Sequence, residues 1–316
     1  MEDLSHVPTL GQSGLDADLP PEVAAIQQQA RKFAIDVIRP LARDLDAMSA
    51  ADMVAQGSPI HDFFVEVQRI GLIDLGAMAQ TEPAMQALIL PVLMEELGTG
   101  DAGLSMLSLA RDFVRFLAIG TGNQEVIGRL SNGFGCFLAT QPDRGSDAID
   151  HRGLDNHPGS RRPIGNLTVK RDGDDFIVNG QSSAWVSGAP LAAGGIAYAA
   201  CDFGDGFYDS SDRLNLIGIL IPFDEAGVTK GPPLEKLGQR PLPQGTAFFD
   251  DVRLPKAFVV AEGDAAHTRL EEDLTIAKTI VATTFVGVGR AAFDFALAHV
   301  HERRQGGAAL IDHQAV

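Results

Sequence analysis

Cysteine is nearly absent from these 316 residues: Cys136 and Cys201 stand far apart, outside any Cys-x-x-Cys spacing. That usage excludes a disulfide framework and a thiolate zinc site, and a reducing cytoplasmic compartment fits it. Basic residues are scarce too: 25 Lys and Arg face 42 Asp and Glu, a formal net charge of -17. A general binder of nucleic acid or anionic membrane needs a dense cationic face, so both classes are excluded. Long apolar runs are missing. The cleanest, Ala87 to Met94, is interrupted by Pro91, and the first twenty residues are polar, acidic and proline-containing. Neither a signal peptide nor a membrane span is expected. No His-Glu-x-x-His and no Gly-x-Ser-x-Gly occurs among the eight histidines and the serines, which removes the zinc-protease and serine-hydrolase patterns.

What is present is a chain with 45% hydrophobic residues, long enough for two or three domains. Residues 1–19 lack periodicity and read as a loose arm. From Pro20 and Pro21, Val23, Ile26, Ala30, Phe33, Val37 and Leu41 recur at helical steps, with Pro40 expected to bend or end the helix. Ser58-Pro59 opens a second helix that Gly71 stops. Glu82 to Leu97 closed by Gly98, Asp101 to Ala118 closed by Gly120, and a short helix capped by Asn123 complete a helical domain over 20–132. Over 133–262 the pattern turns to short alternating strands: Phe134 onward, a hairpin of Asn166–Arg171 with Phe176–Asn179, then Ser182–Ser187, Gly195–Asp202, Leu214–Ile221 and Thr246–Leu254. Residues 263–316 return to helix from Leu270, ending near Gly306-Gly307, and Ala309–Val316 starts another. The fold class is α+β multidomain: a helical N-terminal domain, a middle antiparallel β barrel or sandwich, and the start of a C-terminal helical bundle.

Two stretches carry the chemistry. In Phe134 to Asp147 an apolar strand breaks into a polar loop, with Pro142, Gly145 and Ser146-Asp147 exposing amides and a hydroxyl. In Ala184-Trp185-Val186-Ser187 the single tryptophan sits two residues from a hydroxyl, on one face if the segment is a strand. That pair is either a core aromatic beside a turn serine or a flat wall with a donor for a planar heterocycle. Other features read as structural. Gly287-Val-Gly289-Arg-Ala-Ala292 imitates a dinucleotide fingerprint but lies in helical periodicity with too little chain after it for a βαβ unit, so close helix packing explains it better. Arg161-Arg162, Arg303-Arg304, His299 and His301 read as surface residues, and the Arg144 to Gly165 loop is long for a connection.

Ala139-Thr140-Gln141-Pro142-Asp143-Arg144-Gly145-Ser146-Asp147 resembles the Thr-Glu-Pro-x-x-Gly-Ser-Asp signature of the acyl-CoA dehydrogenase family, and Trp185-Val186-Ser187 resembles its Trp-Ile-Thr signature. Lys236 to Arg240, Phe249 to Pro255, and Glu302-Arg303-Arg304 leading to His313-Gln314-Ala315-Val316 look like three later blocks in the family's order. The resemblance implies bound FAD. By that likeness Phe137, Ala139, Thr140 and Ser146 line and hydrogen-bond the isoalloxazine or diphosphate, Trp185 packs on the flavin, and Ser187 stands for the threonine whose hydroxyl meets flavin N5. Arg303 and Gln314 reach the FAD of a neighbouring subunit, so a homo- or hetero-oligomer is implied. The implied partners are an acyl-CoA substrate and an electron-transfer flavoprotein or similar acceptor. Three departures stand out: Gln141 for the usual glutamate, Gly306 for a phenylalanine near the adenine, and Pro241-Leu242-Pro243-Gln244 for a hydroxyl-bearing loop.

Desaturation of an acyl thioester also needs a carboxylate to take the α proton. In most family members that glutamate lies downstream of the block ending here at Val316, so it is expected outside this chain. The alternative place, on the first long bundle helix, falls near Ala277-Lys278; Glu271, Glu272 and Asp273 lie a turn away and read as the acidic N-terminal turn of that helix. Three readings follow: a truncated acyl-CoA dehydrogenase, a non-catalytic partner subunit of a heteromeric one, or a flavin monooxygenase on the same fold.

Overall fold

A computed structural model describes residues 19–71, 73–147 and 163–316; Arg161-Arg162, most of the N-terminal arm and most of the long loop lie outside them. The chain divides into two compact units, one of Met1–Ala42, Thr81–Ser105 and Thr279–Val316, the other of Arg43–Gln80 and Met106–Lys278.

In the first unit, α1 (Pro21–Phe33) begins with proline at its first position, where the missing N–H costs nothing. It does not end before Pro40. A π-helical stretch, Ala34–Ile38, widens the turn, with Arg39 N–H reaching back to Ala34 O, and α2 (Arg39–Asp46) continues through the proline. The α6 helix (Pro83–Gly98) packs beside α1. Its buried Glu96 accepts two bonds from Arg31, at 3.0 and 2.7 Å, and Arg290 bridges Glu95 and Glu96, each at 2.6 Å. Two buried carboxylates are thus neutralised by Arg290, itself largely buried, and by Arg31, whose guanidinium reaches in from the surface. The long α9 (Asp264–Glu302) supplies Arg290 and also Gly287, where an added Cβ would meet Glu95 O at 1.9 Å. Gly98 is likewise not the expected helix stop: it lies inside α6, and its Cβ would meet Thr284 O at 2.1 Å. Close helix packing thus accounts for Gly287, while Gly289 has open space around it.

Much of α9 is uncovered. Ile276, Val281, Phe285, Val286, Val288, Phe293 and Phe295 are exposed. An 18-residue stretch of α9 has mean hydropathy 1.5 and is 17% buried, so by length and composition alone this helix is long and apolar enough to cross a membrane. The expectation of no span rested on uninterrupted apolar runs, whereas α9 reaches this hydropathy with threonine interspersed. The helix ends at Glu302, short of the expected Gly306-Gly307. Those glycines, with φ of 65° and 92°, turn a small hairpin between β11 (Arg304–Gln305) and β12 (Ala308–Ala309), as a two-residue hairpin turn demands. The helix expected over Ala309–Val316 is a single 3-10 turn, Leu310–Asp312.

In the second unit, α3 (Ala50–Val54), α4 (Pro59–Ile70), α5 (Leu75–Met78), α7 (Ala102–Gly120, whose first turn belongs to the other unit) and α8 (Gln124–Leu130) accompany the sheet. Their ends follow the sequence signals. Ser58 accepts from Ile60 N, Gly71 closes α4 at φ 62°, and Asn123 Oδ1 caps α8 at Glu125 N and Val126 N. The sheet has eight strands: β1 (Phe134–Leu138), β2 (Leu167–Asp172), β3 (Asp175–Gln181), β5 (Ala192–Asp202), β6 (Leu216–Pro222), β7 (Val228–Lys230), β9 (Ala247–Pro255) and β10 (Val259–Glu262). Its order is β10-β6-β5-β2-β3-β9-β7, with β1 also on β5, an open arrangement compatible with a sandwich. The pairing is mixed rather than purely antiparallel. β6 takes one edge of β5, and β1 and β2, both parallel to β5, share the other in succession. Between β3 and β5 the expected Ser182–Ser187 strand shrinks to β4 (Val186–Ser187), paired with β8 (Gln244–Gly245). Ser182 is the reason: its hydroxyl accepts Ala247 N–H at 2.9 Å and donates to Ser183 O at 3.0 Å, a local bonding pattern that competes with a ladder.

The glycine packing gives a paired prediction. Gly287→Ala is expected to destabilise by about 1–3 kcal/mol through overpacking, and Gly289→Ala to stabilise by about 0.5–1 kcal/mol through helix propensity. Urea unfolding of both variants measures the difference in sign.

Candidate functional site

The polar loop begins where β1 runs out. Gln141 and Gly145 exchange two backbone bonds, Gln141 N to Gly145 O at 2.8 Å and Gly145 N to Gln141 O at 2.9 Å, closing a turn that Gly145 completes at φ 53°. The Gln141 side chain points inward and is 1% exposed; its Oε1 accepts from Asn166 N and, at 2.8 Å, from Leu167 N. Asn166 clasps the loop from the other side, accepting from Asp143 N at 3.0 Å and donating to Asp143 Oδ2 at 2.7 Å. An amide oxygen at position 141 therefore anchors the start of β2, while its Nε2 is buried and has no partner among the described residues. Ser146 is exposed just after this turn.

Thr140 joins the loop to the tryptophan segment. Its Oγ1 lies 2.6 Å from Ser183 Oγ, its carbonyl accepts Ser183 N–H at 2.8 Å, and Ser183 Oγ in turn accepts Trp185 N–H at 3.2 Å. Trp185 and Ser187 do not share a strand face as the sequence suggested: Trp185 occupies the turn before β4 and is 64% exposed. Ser187 is half-buried and paired across the ladder with Gln244, whose Nε2 donates to Ser187 Oγ at 3.2 Å and to Trp185 O at 2.9 Å. Lys236 Nζ donates to Gln244 Oε1 at 3.1 Å.

Phe137 and Ala139 pack against the sheet core, with the Phe137 ring 6.1 Å from Phe113 and 5.9 Å from Tyr198. Behind Phe137, Tyr198 OH donates to Asp273 Oδ2 at 2.6 Å and Arg269 to Asp273 Oδ1 at 2.9 Å. Asp273 is thus a buried residue tied to the sheet. The expected acidic N-terminal turn is corrected, because α9 starts at Asp264 and residues 271–273 lie two turns in. Burial pushes the Asp273 carboxyl up from the ordinary aspartate value.

The structure brings Thr140, Trp185 and Ser187 into one hydrogen-bonded neighbourhood through Ser183 and Gln244, with Ala139 next to Thr140 and packed on the sheet core. Arg303 and Gln314 belong to the first unit and are both exposed. Sequence reading missed Ser183 and Asn166, and treated Gln244 only as a departure; the Ser182-Ser183 pair before the lone tryptophan was the available signal.

No family model matches the chain. The pig mitochondrial short-chain specific acyl-CoA dehydrogenase is 24% identical over 327 aligned positions, covering 99% of this chain and 70% of the relative. A glutaryl-coenzyme A dehydrogenase solved with glutaryl-CoA superposes with a TM-score of 0.73 at 24% identity, covering 95% of this chain and 71% of that one. The glutaryl-CoA dehydrogenase of Mycobacterium smegmatis, solved with FADH2, gives a TM-score of 0.69 at 21% identity over 95% and 71% of the two chains. This chain is related to the acyl-CoA dehydrogenases and has their fold. It spans about 70% of the length of the relative and of the two solved structures.

Two predictions follow from the site. Replacing Ser183 by alanine leaves Trp185 N–H and the Thr140 hydroxyl without their shared partner; an expected loss of about 1–3 kcal/mol is read from urea unfolding. For Asp273, a folded-state pKa above the unfolded one means that its contribution to stability is greatest below about pH 4 and falls as pH rises toward the folded value. Asp273→Asn keeps the shape without the proton, so the wild type should lose stability relative to this variant over that rise.

Proposed function

We propose that the chain holds FAD on the face built by Ala139, Thr140, Trp185 and Ser187, and that it serves the α,β-dehydrogenation of an acyl-CoA thioester. The single observation that carries the reading is the convergence of both motif segments through the Thr140–Ser183 hydroxyl pair. The donor set fits the group. Trp185 offers an exposed aromatic surface, Thr140 a hydroxyl, and the Ser187 hydroxyl hydrogen has no acceptor among the described residues. Bound flavin supplies a hydride acceptor. Ser187 would donate a hydrogen bond to the heterocycle, Trp185 would wall off one side, and Phe137 would support the β1 end from the core side. Ser146, Arg303 and Gln314, all exposed, are assigned to the diphosphate and adenosine, the last two on a neighbouring subunit's FAD.

The proton acceptor is assigned to a glutamate outside these 316 residues. Four acids are buried among the described residues, and each is already engaged: Glu95 and Glu96 by arginines, Asp112 by Leu75 N and Arg115, Asp273 by Tyr198 and Arg269. The exposed apolar face of α9 favours a second reading, in which that glutamate and the helices covering α9 come from a partner subunit of a heteromeric dehydrogenase. In both readings α9 is a bundle helix.

The test is anaerobic addition of acyl-CoA thioesters to the FAD-loaded chain. An acyl-CoA should bleach the flavin slowly, and added acetate or formate, standing in for the absent carboxylate, should speed the bleaching. A chain that takes up no FAD, or whose flavin ignores every thioester with and without the added carboxylate, would refute the proposal.

A further inference from the structure

Gln244 sits at a point where hydrogen-bond directions are fixed by chemistry. Its amide touches three groups: Lys236 Nζ at 3.1 Å on the oxygen end, and Trp185 O at 2.9 Å and Ser187 Oγ at 3.2 Å on the nitrogen end. An ammonium can only donate and a carbonyl can only accept, so the amide has a single satisfactory orientation. Lys236 itself is held by the carbonyls of Gln239, at 2.8 Å, and Leu242, which close the loop around it. Ser187 Oγ must therefore accept from Gln244. With a lone pair so occupied, the hydroxyl hydrogen of Ser187 is left to give elsewhere, and it finds no acceptor among the described residues.

We propose that Gln244, oriented by Lys236, is a positioning residue that commits the Ser187 hydroxyl to act as a donor toward the bound heterocycle. This rests on the flavin reading above and extends it to residues that act through Ser187. A merely structural role, in which Gln244 staples β4 to β8, has different consequences. Gln244→Glu keeps the shape, the Lys236 pair and the backbone ladder between β4 and β8, and gives up the donation to Trp185 O. Its carboxylate can only accept, so it draws the Ser187 hydrogen to itself and withdraws the donor from the ligand.

The experiment measures FAD affinity by equilibrium dialysis and the two-electron potential of the bound flavin for wild type, Ser187→Ala, Gln244→Glu and the double variant, with thermal unfolding as the control for folding. The expected result is that Gln244→Glu stays folded, with the small loss of thermal stability that Ser187→Ala does not share and that follows from the missing Trp185 bond, and weakens FAD binding about tenfold, as loss of one hydrogen bond to a ligand does. It should also shift the potential in the direction that Ser187→Ala shifts it, and the double variant should add nothing to Ser187→Ala. Full wild-type affinity and potential in Gln244→Glu, while Ser187→Ala loses both, would overturn the proposal and leave the flavin reading standing; additive effects in the double variant would do the same. A wild-type chain that binds no FAD would overturn both.

Discussion

Strand β5 is the constraint on which the rest of this structure depends. It is occupied along both edges, by β6 on one and by β1 and then β2 on the other, and its residues from Gly194 to Cys201 are fully buried. Because β1 is parallel to β5 and registered from Phe134 on Ala192 to Leu138 on Ala197, the point at which Thr140 leaves the sheet is set by the core and not by the loop. Burial of this strand is what a hydrophobic core can stabilise strongly; the polar loop that follows has only hydrogen bonds to fix it.

Those bonds form a chain: Gln141 holds the start of β2, Thr140 meets Ser183, Ser183 holds Trp185, and Gln244 ties Trp185 to Ser187. Each of these links is between neutral groups, and a single cation adjoins the chain, Lys236 Nζ on Gln244 Oε1. The ionic clusters lie elsewhere, in the clamp of Arg31 and Arg290 on Glu95 and Glu96, where they pin helices. Neutral hydrogen-bonding groups beside an exposed tryptophan suit a planar heterocycle.

Helix ends and most strands were legible in the sequence because they are local: Ser58, Gly71 and Asn123 act on bonds within three or four residues of themselves. The site segments were legible as motifs for the same reason. What could not be read is whatever depends on distant partners. Ser182 breaks a strand by bonding Ala247, Gly98 lies against Thr284 instead of stopping its helix, and Asp273, which read as a helix-terminal acid, is consumed by Tyr198. Parallel pairing of β1 and β2 with β5 falls in the same class, since alternation along a strand is identical for both pairings.

The central claim is that the two motif segments make one flavin-holding face with Trp185 on it. Trp185 is the only tryptophan, so its emission reports that face alone. FAD titrated into the flavin-free protein should quench this emission saturably, one FAD per chain. Emission that stays unchanged while FAD binds, or protein that binds no FAD, would contradict the account.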